Sequence, residues 1–192
     1  MATLPQTKRL TPEEYLASER KSEAKHELIH GERREMGGAS RWDNRITINL
    51  IQALGGCLSG TTGEVFASDM RVKVTPSGRY TYPDALIVRE EPQFEDEELD
   101  TLLNPAVIFE VLSGSTEGYD RGEKFEHYRT LDSFTEYVLI RQDRPHAEHY
   151  ERENDGRWML SEVSGLEAAL TLASVDCELA LADIYDGVDL NA

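Results

Sequence analysis

The sequence predicts an α/β fold, bordering on α+β, in which helices pack on a sheet and the C-terminal part is rich in strand. Three observations carry this expectation. Ala85-Leu86-Ile87-Val88 and Ala106-Val107-Ile108-Phe109-Glu110-Val111-Leu112 are short, almost wholly apolar runs, as expected of strands covered on both faces. Around Ile46, Leu50, Ile51, Leu54 and Leu58 the apolar spacing is helical instead, so a helix should bury one face there. The chain has 192 residues, 39% hydrophobic and 30% charged, enough for about one domain with a sizeable core.

The elements follow in order. Thr11-Pro12-Glu13-Glu14 reads as a helix start, with an N-cap Thr, Pro at the first helical position and Glu14 closing a capping box. That helix should reach about Ser22. A hairpin is expected from His26 to Met36, turning at His30-Gly31. Ser40 should cap the longer helix, with Asp43 three residues on. Glu64 to Thr75 alternates in part and predicts a strand, with Pro76-Ser77-Gly78 as its turn, and Tyr82 to Val88 predicts a second. Residues 90–100 hold seven acids and no base, which reads as a solvated loop. Ala106 to Leu112 is the third strand. Asp120 with Glu123 resembles a capping box for a helix reaching about Leu131. Tyr137 to Ile140 is the fourth strand, and 145–164 reads as a hairpin turning at Asn154-Asp155-Gly156. The short apolar segments of 166–190 are placed only loosely. No repeat or Pro/Ser-rich linker divides the chain, so 1–192 is expected as one unit: an N-terminal helix and hairpin (1–38), a core (40–140) and a β-rich extension (141–192).

Composition narrows the functional classes. No apolar run approaches the roughly 18 residues of a membrane span, so no membrane role is expected. Met1-Ala2-Thr3-Leu4-Pro5-Gln6 lacks the apolar core of a signal peptide. Cys57 and Cys177 are too few and too far apart for a disulfide scaffold or a zinc site, and a reduced, cytoplasmic protein is expected. The net charge of −17 is hostile to nucleic acid, but it is unevenly spread. Residues 1–89 carry 13 Lys/Arg against 11 Asp/Glu, and residues 90–192 carry 7 against 26, giving +2 and −19. Only the first half suits a phosphate backbone.

Glu110 is the sharpest anomaly. An ionised carboxylate in a doubly covered strand costs several kcal/mol unless it is paired, protonated or bound to a cation. A metal ligand or catalytic acid is one reading, and a core ion pair with Lys or Arg is the other. Asp84 follows Pro83 at the head of the run Ala85–Val88; it is either a turn-forming residue or a second oxygen ligand converging with Glu110 on a hard cation. Lys124 shares a helix face with Tyr128 and Leu131, which should aim its ammonium at the sheet; the alternative is a surface lysine lying along apolar side chains. Two carboxylates, a cation and a lysine suit phosphoryl chemistry. Asp69 and Glu27 are supporting candidates, and Arg41 and Arg45, at i and i+4 near a helix start, are candidate phosphate contacts. His146 and His149, three apart on a strand, should face opposite ways and not share a metal.

Several segments together resemble a known family. Tyr82-Pro83-Asp84, Phe109-Glu110-Val111-Leu112-Ser113 and Asp120-Arg121-Gly122-Glu123-Lys124 through Tyr128 are similar to the Uma-type family of restriction-endonuclease-like proteins, within the PD-(D/E)XK nuclease superfamily. His26-Glu27-Leu28-Ile29-His30-Gly31-Glu32 resembles its N-terminal signature and Glu136-Tyr137-Val138-Leu139-Ile140 its following strand. The resemblance implies a mixed central sheet flanked by helices and a divalent-metal site, Mg²⁺ or Mn²⁺, hydrolysing phosphodiester bonds of nucleic acid, DNA foremost. Asp84 and Glu110 match its metal-binding acids, with the backbone carbonyl of Val111 as a third contact, and the 40–140 core becomes the nuclease core. A homodimer follows only by analogy with enzymes that cut both strands. Leu112 replaces the usual motif lysine, so Lys124 has to serve; Gly114 stands where Pro is common and Asp43 where His is frequent. The competing reading is a catalytically silent nuclease fold that binds a partner.

Overall fold

In the computed structural model, residues 9–74, 78–114 and 116–190 are described. Helix α1 (Pro12–Glu19) opens with the expected capping box, Thr11 and Glu14 exchanging side-chain-to-backbone hydrogen bonds of 3.1 and 3.2 Å. It ends three residues earlier than its pattern allows. Strands β1 (His26–Ile29) and β2 (Glu32–Glu35) form the hairpin, and His30 and Gly31 both take positive φ (53° and 82°), as a two-residue turn of this kind requires. A Cβ on Gly31 would also come within 2.9 Å of Arg9. Helix α2 (Arg41–Cys57) starts where Ser40 Oγ accepts the Asp43 N–H at 3.1 Å.

The strand expected over 64–75 is two strands, β3 (Glu64–Ala67) and β4 (Arg71–Val74), broken by a turn in which the Met70 N–H reaches the Ala67 carbonyl at 2.9 Å. The break sends β3 and β4 into different sheets. Of the turn expected next, Pro76-Ser77 lies outside the described residues, as does Thr75. β5 (Arg79–Thr81), β6 (Ala85–Val88), β7 (Thr101–Leu102) and β8 (Val107–Leu112) follow. Then α3 (Glu117–Tyr119), a π-turn (Asp120–Lys124) and α4 (Phe125–Tyr128) run on without interruption. β9 (Glu136–Arg141), β10 (His146–Arg152), β11 (Trp158–Ser164), β12 (Ala169–Leu172), β13 (Cys177–Ala180) and α5 (Leu181–Ile184) complete the chain.

Two sheets and a hairpin result. The central sheet has the order β11-β10-β9-β8-β6-β3 and is mixed, with β8 and β9 parallel. The second sheet has the order β2-β1-β5-β4-β7, and among the described residues β12 pairs only with β13. Strand alternation splits the central sheet's side chains cleanly. Ala85, Ile87, Val107, Phe109 and Val111 pack towards α2, β12–β13 and α5. Leu86, Val88, Ile108, Leu112 and Leu139 pack on the other side with α4 and the β4 residues Val72 and Val74. Both faces are covered, which is why β6 and β8 are apolar throughout. Residues 141–190 are not an appendage: β10 and β11 extend the central sheet itself, and β12–β13 and α5 close its α2 side.

Two expectations are corrected here. The acidic stretch 90–100 is not simply solvated. Arg20 binds Asp96 and Asp100 at 2.8–2.9 Å, Arg71 binds Asp100 at 2.7 Å, and Glu95 pairs with Lys73 and accepts the Tyr80 hydroxyl at 2.9 Å. Hydrogen bonds from Arg20, joined by Arg71, hold the Asp100 carboxyl well below the usual carboxylate range. The stretch is a clamp on α1 and the second sheet. Nor are the cysteines reduced: Cys57, ending α2, is disulfide-bonded to Cys177, opening β13, with Cα atoms 5.7 Å apart and a sequence separation of 120. Sequence distance hid a pair that packing brings together. Closing so long a loop should contribute about 2–4 kcal/mol. Reduction should therefore lower the melting temperature of the wild type but not of a Cys57→Ser/Cys177→Ser variant, and thiol titration of the unfolded, unreduced chain should find no free sulfhydryl.

Candidate active site

The site lies at the seam between the two sheets. Thr81 ends β5 in one sheet and Ala85 opens β6 in the other, so Tyr82-Pro83-Asp84 is the crossing. Pro83 has no N–H to give a ladder and suits a crossing between sheets. Asp84 thereby stands beside β8, where its Oδ2 accepts the Val111 N–H at 2.7 Å. Glu110, one residue before, points to the opposite face, among Ile108, Leu112 and Tyr128.

Lys124 comes from the π-turn and is 5% exposed. Its Nζ lies 2.8 Å from Glu110 Oε1, 3.4 Å from Asp120 Oδ1 and 3.8 Å from Glu27 Oε1. Tyrosines hold the acids in place: the Tyr128 hydroxyl donates to Glu110 Oε1 at 3.3 Å, and that of Tyr119 to Glu27 Oε2 at 3.1 Å. Arg79, 1% exposed on β5, moors the π-turn through Glu123 at 2.8 Å. Glu27, Asp84, Glu110, Tyr119, Asp120 and Lys124 border a cleft of about 490 Å³ that also admits Asp43, Arg34 and Gln142.

The electrostatics are unbalanced. Burial pushes the Glu110 carboxyl well up; Lys124 pulls it back, while Asp120 and Asp84 push it further. Burial also opposes the Lys124 charge, yet the carboxylates around it, Glu110 foremost, hold its pKa well above the usual lysine value. The ammonium is charged, because three carboxylates reach it within 3.8 Å. Asp84 is raised by burial, against the Val111 N–H and Lys124, which lower it. Asp43 is pushed to about 7 by burial, then by Asp84 and Asp120. One ammonium does not neutralise Glu27, Asp84, Glu110 and Asp120. Glu27 Oε1 is moreover buried without a hydrogen-bond partner. Surplus negative charge, oxygen donors and an orphaned carboxylate oxygen fit a hard divalent cation.

The structure brings Asp84, Glu110, Val111, Lys124 and Glu27 to one cleft. Glu110 is a core ion pair with Lys124, and it also lines the cleft. Asp69 does not join. It sits in the turn between β3 and β4, its side chain 88% exposed and paired with Lys25. Arg41 and Arg45 do not line the cleft either; Arg41 lies over the Trp42 ring at 4.4 Å, and Arg45 is bound to the Asp186 carbonyl at 3.0 Å. Asp120 is no helix cap. The helical stretch begins three residues earlier, at Glu117, and Asp120 turns its buried carboxylate to Lys124. The i, i+4 spacing of Asp120 and Lys124 was the available signal. Asp43, Tyr119 and Tyr128 also reach the cleft or its acids, which their helical positions alone did not reveal. His146 and His149 fall in separate groupings, with Glu148 and Glu162 and with Glu136 and Glu151. The second is already satisfied internally, Glu136 taking His149 at 2.6 Å and the Ser174 N–H at 2.7 Å.

A mixed sheet with an acid at one strand head, a second acid inside the next strand and a lysine from the following helix defines a restriction-endonuclease-like nuclease fold. The crystal structure of a putative nuclease belonging to DUF820 from Anabaena variabilis has this fold, with a TM-score of 0.71 and 16% identity, over 92% of this chain and 98% of that one. The chain belongs to the Uma2 family, described as "Putative restriction endonuclease", whose model matches residues 12–182. Two uncharacterised proteins of Synechocystis sp. are similar to it: one 40% identical over 88% of this chain and 96% of its own, the other 31% identical over 94% and 93%.

Two outcomes test these electrostatics. Lys124→Met leaves buried carboxylates without their ammonium and should cost about 3–5 kcal/mol in denaturant unfolding, part of which Glu110→Gln should restore. For Asp43 the folded pKa lies above the ordinary 3.8, so the folded state holds the proton more tightly. In EDTA its contribution is present below about pH 4 and is lost as pH rises towards about 7. Asp43→Asn should lack that loss and be the more stable protein at pH 8.

Proposed function

We propose that this protein is a divalent-metal-dependent endonuclease hydrolysing phosphodiester bonds of nucleic acid, DNA foremost. The observation that carries the reading is the Lys124–Glu110 contact of 2.8 Å inside a cleft that also holds Asp84. Asp84, Glu110 and the Val111 carbonyl would hold Mg²⁺ or Mn²⁺, which supplies phosphate polarisation and a bound water of lowered pKa. Asp84 is kept in place by the Val111 N–H, and Glu110 by Lys124 and Tyr128. Lys124 offsets the negative charge that develops on the phosphate, the work given elsewhere to a lysine at the Leu112 position. By analogy with enzymes that cut both strands of a duplex, a homodimer would bring two such clefts together.

Plasmid and single-stranded substrates incubated with Mg²⁺, Mn²⁺ or EDTA test this. Cleavage should require metal, and Asp84→Asn should lower it about a hundredfold or more. Metal should raise the wild-type melting temperature, and less so that of Asp84→Asn. A metal-dependent melting shift without cleavage of any substrate would favour a silent, partner-binding nuclease fold instead.

A further inference from the structure

Six acids line the cleft, Glu27, Glu35, Asp43, Asp84, Glu110 and Asp120, against two cations, Lys124 and Arg34. A polyanionic strand approaching this wall meets mainly repulsion. Lys124 is buried and engaged with Glu110, so it is not available at the rim. Arg34 is exposed, and among the described residues it makes no ion pair within 4.0 Å. Among the described residues it is the one exposed cation on the cleft wall.

Its placement follows from strand alternation on β2. Arg33 turns away from the cleft, to Glu19 at 3.2 Å and Ser22 at 3.3 Å. Arg34 takes the other face, directly opposite Glu27 in the β1–β2 register, and Glu27 is the acid 3.8 Å from Lys124. β2 is the outer strand of its sheet, so nothing in the ladder covers its far side. The chain then runs along the same wall as Met36-Gly37-Gly38-Ala39-Ser40, outside any helix or strand, and a Cβ on Gly37 or Gly38 would meet nothing within 4 Å. A planar guanidinium with a bare backbone strip beside it matches the two non-bridging oxygens of a phosphodiester.

We infer that Arg34, rather than Arg41 or Arg45, is the phosphate-binding residue of this cleft, receiving a backbone phosphate of the nucleic-acid substrate along the Arg34–Ser40 wall. The inference rests on the nuclease reading above. Arg34 binds the strand and takes no part in bond cleavage, so its removal acts on affinity and leaves the chemical step alone.

Binding is read by fluorescence anisotropy of a labelled oligonucleotide, duplex and single-stranded, in an Asp84→Asn background where turnover is suppressed, across a salt series. Adding Arg34→Ala should weaken binding about tenfold and reduce the slope of log K against log salt by about 1. Arg34→Lys should recover part of the affinity, and Arg41→Ala should change neither quantity. In the cleaving protein Arg34→Ala should raise KM with kcat kept, and its melting temperature should match the wild type because the side chain is exposed and unpaired. If the Asp84→Asn protein binds nucleic acid and Arg34→Ala leaves affinity and slope unchanged, the inference falls while the nuclease reading stands. If the parent binds neither form and the wild type cleaves neither, both fall together.

Discussion

A buried ion pair, Lys124 to Glu110, is what the rest of the structure is arranged around. Taking two charges out of water costs several kcal/mol for each, and close pairing repays it only when the surrounding hydrogen bonds are also made. The fold supplies them from three elements. Glu110 comes from a strand covered on both faces, Lys124 from a π-turn lined up against it, and Tyr128 from the helix that follows. Each must be in place before the others are tolerable, so the pair ties the central sheet to the α3–α4 stretch.

The second sheet makes that arrangement possible. Its β5 sends Arg79 into the interior to grip Glu123, and the Thr81 hydroxyl meets that of Tyr128 at 2.9 Å. The same strand passes through Tyr82-Pro83 into Asp84, so a single crossing both anchors the helix and delivers an acid. The acidic stretch 90–100 holds this sheet by ion pairs to Arg20, just after α1, and to Arg71 and Lys73 of β4. Much of the chain's negative charge is thus engaged within the fold rather than spread as a repulsive surface.

Negative charge is also what the cleft keeps in excess. Glu27, Asp84, Glu110 and Asp120 share one ammonium, and burial raises Glu110 and Asp84 against ionisation. In the proposed reading, such a site is costly when empty of cations and would gain stability when one binds. In that reading stability and chemistry draw on the same groups, and acids are concentrated where a core would otherwise be apolar.

What the sequence determined alone was local. An apolar run broken only by Glu110 marked both a doubly covered strand and a buried charge, because burial leaves a lone carboxylate conspicuous. Capping at Thr11 and Ser40 and the turn at His30-Gly31 were legible, since each depends on residues within a few positions of one another. Tertiary structure decided the rest. Asp120 has the sequence surroundings of a helix cap, and only the earlier helix start at Glu117 turns it inward to Lys124. Asp69 and Arg45 carry suitable groups but are held by Lys25 and Asp186 outside the cleft. Cys57 and Cys177 meet because α2 packs on β13, and Arg34 faces the cleft because β2 pairs in one register rather than the next. Pairing across long sequence distances depends on which faces the two sheets bury together, and no local pattern of residue types encodes that choice.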